Sequence, residues 1–484
     1  MIRPANPMAF VDDLPDCGEQ WLRDEGIAPG TPFLLSPKFE YDLDLNDYFT
    51  KELVGSAPKT QEASARDLAS FLTFLWRSRG GLSWPDATED DHRAYLVWRR
   101  RDPGGPCVSG TTWDREVATV NRFYWWALKR GHVAAHPIPQ RMSRRRPVGA
   151  DWNAARARDE LRPATYSHDG NSERLIWLPP GDYRRWRDSG IRGFAADGLP
   201  SESFRGRWAA RNATYCDLMV RTGLRISEQS ALSVLEVPRD RGGGFERFWL
   251  PASIAKGASA RWVYVPPSLL PDLNSYLEID RAEVVTDARA AGRYNWRHPW
   301  VVGHPHDSVA VRLIDGATKR LSVSEMDAEQ RSQTLLDGPE GLEPIAFWLG
   351  ENGQPLSVPS WKGIFRDANE RCKRAGVKLT CHPHALRHTF AVVTLEQLQR
   401  GHIDALARLS PEQRRHYTRI FGDPLDWVRR RLGHRSVTTT IKYLHALSEL
   451  EMHTRMQLVP SDWDDVRNVA VAEPKWAAGE EGTQ

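Results

Sequence analysis

Residues 429–445, RRRLGHRSVTTTIKYLH, gather four arginines, one lysine, two histidines and a tyrosine into seventeen positions. A solvated helix could carry such a mixture for solubility alone. Tyr443, however, follows a Gly-His pair by nine residues and stands behind a block of positive charge. Neighbouring cations favour the anionic form of a phenol, and a phenolate is a nucleophile. Whether the chain supports that chemistry depends on what else it carries.

The chain has 484 residues, of which 40% are hydrophobic and 27% charged. Those are the proportions of a globular protein, and the length predicts two or three domains. No apolar run reaches the roughly 18–20 residues of a membrane helix. The opening, MIRPANPMAFVDDLPD, lacks the apolar core of a signal peptide. Five scattered cysteines (Cys17, Cys107, Cys216, Cys372 and Cys381) suit a reducing compartment better than a disulfide framework. The expectation is a cytoplasmic protein with no membrane partner. The formal charge of +3 is a cancellation: residues 1–57 hold 4 Lys/Arg against 11 Asp/Glu, residues 93–146 hold 12 against 3, and residues 448–484 hold 3 against 8. A basic middle between acidic ends suits a polyanionic partner. A solvated surface with chance clustering is the alternative on charge alone.

Periodicity divides the chain. Residues 1–57, rich in Pro and Asp, read as an arm or cap. Helical spacing of Ala65, Leu68, Phe71, Leu72 and Leu75, an N-cap at Thr88, and a third helix ending at Gly131 predict an all-helical unit over 58–140. Residues 141–164 form a basic linker carrying Arg141, Arg144, Arg145 and Arg146. A larger domain follows over 165–450. It begins with a strand-like RLIWL and a helix, continues as helix, turn and helix around Gly223, and adds a β-hairpin in RFWLPASIAKGASARWVYVPP. Residues 280–340 read as polar and irregular, with no assignable function. An acidic tail occupies 451–484. The fold class is mainly α with a small β-sheet.

Four stretches of the larger domain supply chemistry: RTGLRISEQSAL (221–232), AKGASARWVYVP (255–266), HPHALRHTFAVV (382–393) and the opening segment. Singly each is weak, since an arginine near a helix start is usually a surface ion pair. In order they supply Arg225, Lys256, His384, Arg387, His434 and Tyr443, the groups that metal-free phosphoryl transfer requires. Guanidinium forks such as Arg225 and Arg387 can hold the two non-bridging oxygens of a phosphodiester as negative charge develops there. Lys256, on a turn, is a candidate acid for the leaving oxygen, and His384 and His434 can donate hydrogen bonds or move a proton. A competing reading takes Cys381, His382, His384 and His388 as zinc-ligand types, but no second cluster with zinc spacing accompanies them.

These motifs resemble those of the tyrosine recombinases (phage integrases), site-specific DNA recombinases. TGLRISE is similar to the family's first arginine motif, AKGASARWVYVP to its lysine hairpin, HALRH to its His-x-x-Arg box and LGHRSVTTTIKYLH to its nucleophile segment. The resemblance covers roughly 165–450, and residues 58–137 resemble the family's helical SAM-like core-binding domain. It implies that Arg225, Lys256, His384, Arg387, His434 and Tyr443 are catalytic, with Tyr443 the nucleophile and Glu228 and His388 supporting them. It also implies attack on double-stranded DNA to give a 3′-phosphotyrosine link and a free 5′-hydroxyl, a Holliday junction, a homo-tetramer on DNA, two domains clamping the duplex, and no metal, ATP or other cofactor. The alternatives are a catalytically lapsed DNA-binding regulator or architectural protein, or the related activity of a telomere resolvase or type IB topoisomerase. The gaps between Lys256 and His384 and between Arg387 and His434 exceed the family pattern, and residues 397–424 look like added material.

The linker arginines have no acidic neighbours in sequence, so they are expected on phosphates rather than bases. Replacing Arg141, Arg144, Arg145 and Arg146 together by Ala should weaken binding to any duplex and flatten the slope of log affinity against log salt. Filter binding over a salt series measures that slope, and an unchanged value would identify a plain solvated linker.

Overall fold

The computed structural model describes residues 26–28, 30–143, 160–167, 175–195, 198–201, 204–206, 208–239, 244–304, 308–314, 317–408, 410, 423–437, 439–444 and 446–447. Arg144, Arg145, Arg146, the tail over 451–484 and most of the 409–422 stretch lie outside them. The chain divides into two compact units, Met1–Arg174 and Leu175–Gln484.

In the first unit, α1 (Leu43–Asp47), α2 (Pro58–Ser78), α3 (Glu89–Arg100) and α4 (Gly110–Arg130) surround one core. Helix α3 starts where the Thr88 side chain and Asp91 cap each other's backbone, with Glu89 and Asp90 in the first turn and Arg99 and Arg100 in the last. Both charge placements suit the helix dipole. Helix α4 begins at a Ser109 cap and ends at Gly131 in the left-handed region, φ 77°. Its buried face carries Trp113, Val117, Val120, Phe123 and Tyr124. Part of the expected arm belongs to this core. Leu34, Leu45, Tyr48, Phe49 and Leu53 are buried, and the Tyr48 ring meets Phe123 edge-on with centroids 5.2 Å apart. The expected linker is also partly structured: β1 (Gln140–Ser143) pairs antiparallel with β2 (Glu160–Pro163), Arg141 opposite Arg162. Trp113 donates its indole N–H to the Thr165 carbonyl at 2.8 Å, which ties the segment after β2 back to α4. The described part of the first unit therefore runs past the expected boundary.

The second unit opens with extended residues 175–179, which form no strand, and α5 (Pro180–Trp186). The Leu178 N–H donates to Thr389 Oγ1 at 2.9 Å, so a side chain replaces the strand partner expected for RLIWL. Helices α6 (Ala209–Thr222) and α7 (Ile226–Ser230) meet at Gly223, and β3 (Glu246–Leu250) pairs antiparallel with β4 (Arg261–Val265) as the sequence predicts. After α8 (Leu270–Ser275) and α9 (Arg281–Ala290) comes a sheet where irregular chain was expected. It holds β5 (Trp300–Val302), β6 (Val309–Ile314), β7 (Ala317–Ser322), β8 (Thr334–Gly338) and β9 (Gly341–Pro344) in the order β7-β6-β5-β8-β9, with α10 (Ala328–Ser332) before β8. Among the described residues only β5 and β8 pair in parallel. Strand β7 is largely exposed along its length, which explains its polar composition. The remaining helices are α11 (Val358–Arg374), α12 (Pro383–Arg408) and α13 (Pro424–Leu432), followed by helical residues 439–444. In the core Tyr215 stacks on Trp361 with centroids 3.5 Å apart. Among the described residues no helix is long and apolar enough to cross a membrane.

Gly223 ends α6 at φ 67°, and a Cβ there would lie 2.4 Å from Cδ1 of Phe390 on α12. Gly223→Ala is therefore expected to destabilise the second unit by about 2–4 kcal/mol, from left-handed strain plus overpacking. A lowered urea midpoint with unchanged slope checks it.

Candidate active site

The predicted residues converge at one end of α12. Because α12 begins at Pro383, His384, Arg387 and His388 fall within its first two turns at spacings of three and four, on one face. Arg387 is 1% exposed. Its Nη1 donates to the Gly223 carbonyl, its Nη2 to the Leu432 carbonyl, and Nη2 lies 3.3 Å from His434 Nε2. One guanidinium thus joins the α6–α7 turn, the end of α13 and α12. Gly433 makes the bend possible: it ends α13 at φ 64°, and a Cβ there would sit 2.7 Å from Ser259 Oγ and 3.1 Å from Arg261 Nη1.

Glu228 anchors the other arginines. Arg225 caps α7, its N–H donating to Glu228 Oε2 at 3.0 Å and its Nη1 to Oε1 at 2.8 Å. Arg261 Nη2 donates to Oε2 at 2.6 Å, and the Lys256 backbone N–H to Oε1 at 3.3 Å. Burial alone would raise the Glu228 carboxyl, but the charge and hydrogen bonds of Arg261, followed by those of Arg225, hold it at about 2. Lys256 itself lies exposed on the hairpin turn, and its ammonium makes no hydrogen bond among the described residues. Arg435 braces that turn by donating to the Gly257 carbonyl at 2.6 Å.

Tyr443 is buried at 1% exposure beside Phe390, Val428 and Leu432. Its hydroxyl lies 3.0 Å from His388 Nδ1, and its ring is nearly parallel to that of His434, with centroids 6.2 Å apart and planes 8° apart. Burial pushes the phenol up to about 12, against the pull of Arg387 and Arg225. The cations act on the imidazoles as well. His434 is lowered to about 3 by burial and then by Arg387 and Arg225, and His388 to about 2 by burial, His384, Lys442 and Arg387. His384 lies at the exposed mouth, yet loss of solvent on its inner side, then Arg387 and Lys442, lowers it to about 4. With its Nδ1 3.0 Å from Thr440 Oγ1, His434 is best read as donating there and accepting from Arg387. Several fixed cations thus face one carboxylate, so an anion arriving here meets prepaid positive charge.

All six predicted catalytic residues and both supporting ones lie in this assembly of contacts. Of the predicted DNA contacts, Arg141 is exposed on β1 in the first unit, and Arg144, Arg145 and Arg146 are outside the described residues. Sequence reading missed Arg261, Thr440 and Lys442. Arg261 had a signal: in RWVYV the positions of Arg261, Val263 and Val265 face inward with period two, and an arginine at an inward position needs a carboxylate. Its Nε is buried without a partner among the described residues. The Cys381–His388 alternative gains no support, since no group of three or more His, Cys, Asp or Glu among the described residues could hold a metal. A groove of about 690 Å³ lined by Tyr183, Val220, Trp262, Phe390 and Trp427 contains none of the predicted site residues.

Residues 47–131 match the family model described as phage integrase, N-terminal SAM-like domain. Over 390 residues the chain is 22% identical to the tyrosine recombinase XerC of Lactobacillus leichmannii, covering 80% of this chain and 88% of the relative. It is likewise 22% identical over 407 residues to the tyrosine recombinase XerD of Bifidobacterium longum, covering 84% and 92%. Over most of its length the chain is thus similar to tyrosine recombinases, and its first helical unit matches the integrase SAM-like domain. A crystal structure of the XerH site-specific recombinase bound to palindromic difH substrate aligns at 14% identity with a TM-score of 0.46, covering 85% of this chain and 84% of that one. The four segments singled out in the sequence are the ones that the fold brings together around Arg387.

The depressed Glu228 carboxyl has a pH consequence. Its folded value of about 2 lies below the ordinary 4.5, so its contribution is complete above about pH 4.5 and fades as pH falls toward 2. The stability gap between wild type and Glu228→Gln should therefore shrink by on the order of 3 kcal/mol across that window. Urea unfolding of both proteins from pH 7 downward measures the gap, and a gap independent of pH would contradict the assignment.

Proposed function

We propose that this protein is a tyrosine recombinase that cuts and rejoins double-stranded DNA at a specific site through a 3′-phosphotyrosine link on Tyr443. The observation that carries the reading is the convergence of Arg225, Arg387, His434 and Tyr443, from three distant stretches of sequence, on one buried cationic site with a phenol inside it. The relatives it resembles across most of its length are named as tyrosine recombinases, which supports the same activity.

In this reading Arg225 and Arg387 grip the non-bridging oxygens of the scissile phosphate. Arg387's contacts to Gly223, Leu432 and His434 leave part of its donor set for that purpose. His384 at the mouth and His434 add hydrogen bonds as charge builds on the phosphorane. Tyr443 Oη attacks phosphorus, the bond to the 5′-oxygen breaks, and Lys256 delivers a proton to that leaving oxygen from its exposed turn. A 5′-hydroxyl of another strand then reverses the step, passing through a Holliday junction. The phosphotyrosine bond keeps the free energy of the phosphodiester, so the chemistry requires neither ATP nor a metal. Glu228 holds Arg225, Arg261 and the lysine turn in register. Arg141, Arg144, Arg145 and Arg146 contact phosphates outside the site, and the working assembly is a homo-tetramer on DNA in the cytoplasm.

Tyr443→Phe tests the nucleophile. The variant should form no denaturant-resistant protein–DNA adduct while binding DNA within about twofold of wild type, because phosphate contacts dominate affinity. A persisting adduct in a denaturing gel would place the nucleophile elsewhere.

A further inference from the structure

Any phenol that attacks a phosphate must lose its proton, and the roles above name no acceptor. We propose that His388 is the catalytic base that takes the proton of Tyr443, a role that rests on reading Tyr443 as the nucleophile.

Three observations carry it. His388 Nδ1 lies 3.0 Å from Tyr443 Oη and is the only hydrogen-bond partner of that hydroxyl among the described residues. The other nearby imidazoles are placed otherwise: His434 is committed to Thr440 and Arg387, and no hydrogen bond joins His384 to Tyr443. His388 is also buried, so water does not compete for its lone pair. The groups facing it are His382, His384 and Arg387 from its own helix and its start, and Lys442 and Tyr443 from the 439–444 helix. Burial, and then His384, Lys442 and Arg387 around it, keep the imidazole unprotonated. A neutral imidazole accepts a hydrogen bond from a phenol through one ring nitrogen, which identifies Nδ1 as the acceptor and Tyr443 as the donor.

A bound phosphodiester supplies the missing condition. Its negative charge on Arg225 and Arg387 offsets the positive field that opposes protonation of His388. As Oη bonds to phosphorus, the Oη–H bond breaks and an Nδ1–H bond forms, while the bond from phosphorus to the 5′-oxygen breaks and that oxygen takes its proton from Lys256. In rejoining, the tyrosine oxygen leaves and recovers its proton from Nδ1. No further reactant is needed, and transfer during attack avoids a free phenolate–imidazolium pair.

The test uses the full chain. Cleavage of a plasmid carrying the DNA that flanks the gene first locates the scissile phosphate. Single-turnover cleavage of a nicked duplex of that sequence is then followed between about pH 5 and 9 at saturating protein, with either oxygen or sulfur at the 5′-bridging position. Wild type, His388→Asn and Lys256→Ala are compared. Asn keeps a hydrogen-bonding atom near Tyr443 and cannot accept a proton at these pH values. The expected result is a loss of about 10²–10³-fold at neutral pH for His388→Asn, with a rate that climbs about tenfold per pH unit as hydroxide takes over. Sulfur, a leaving group that needs no proton, should rescue Lys256→Ala and leave His388→Asn slow. The pH slope is independent of the fraction of variant that folds, so partial misfolding does not obscure it. A wild-type rate and profile in His388→Asn, or its rescue by sulfur, would overturn the base assignment. Absence of a wild-type adduct, or an adduct on Tyr443→Phe, would instead overturn the reading of Tyr443.

Discussion

The interaction on which the rest depends is the burial of the Arg387 guanidinium between the carbonyls of Gly223 and Leu432. Taking a cation out of water costs several kcal/mol, and backbone dipoles return only part of that. Arg387 has no carboxylate in direct contact. Its nearest electrostatic help is Glu228, while Arg225 and Arg261 oppose it. The fold therefore holds a charge that it leaves under-compensated. Burial first, and then the same excess of positive field, keeps His384, His388 and His434 neutral, and that field makes the site receptive to an anion.

Glu228 keeps that arrangement from flying apart. One buried carboxylate receives Arg225, Arg261 and the backbone of the lysine turn, so two segments of sequence are registered by one group. Arg261 in turn lies near Gly433, and Arg435 reaches back to Gly257. The hairpin and the Gly-His turn are thus tied on both sides of the site. The phenol stands apart from this scaffold in chemistry: it is buried, protonated and hydrogen-bonded only to His388 among the described residues. The protein therefore presents a charged cradle with a protonated phenol inside it.

Much of this was legible in the sequence because its signals are local. Thr88 as a cap, Gly131 and Gly223 as helix ends, the hairpin around Lys256 and the face shared by His384, Arg387 and His388 each follow from spacing within a turn or two. The sheet from β5 to β9 was not legible, since its strands are short and β7 buries almost nothing, leaving no alternation to read. RLIWL misled for the opposite reason: its residues are apolar enough for a strand, but the backbone finds Thr389 instead of a partner strand. Residues 34–53 join the first core through aromatic contacts with α4, which a Pro- and Asp-rich composition conceals. The pairing of His388 with Tyr443 spans 55 positions and leaves no trace in spacing.

The central claim is that guanidinium groups, with no metal ion, activate a phosphate for attack by Tyr443. Its most direct test is to form the protein–DNA adduct in excess EDTA, digest it with protease and identify the DNA-bearing peptide by mass spectrometry. The account predicts an undiminished yield of adduct, with the nucleotide on the peptide that contains Tyr443. An adduct that requires added magnesium or zinc, or one mapped to another residue, would contradict it.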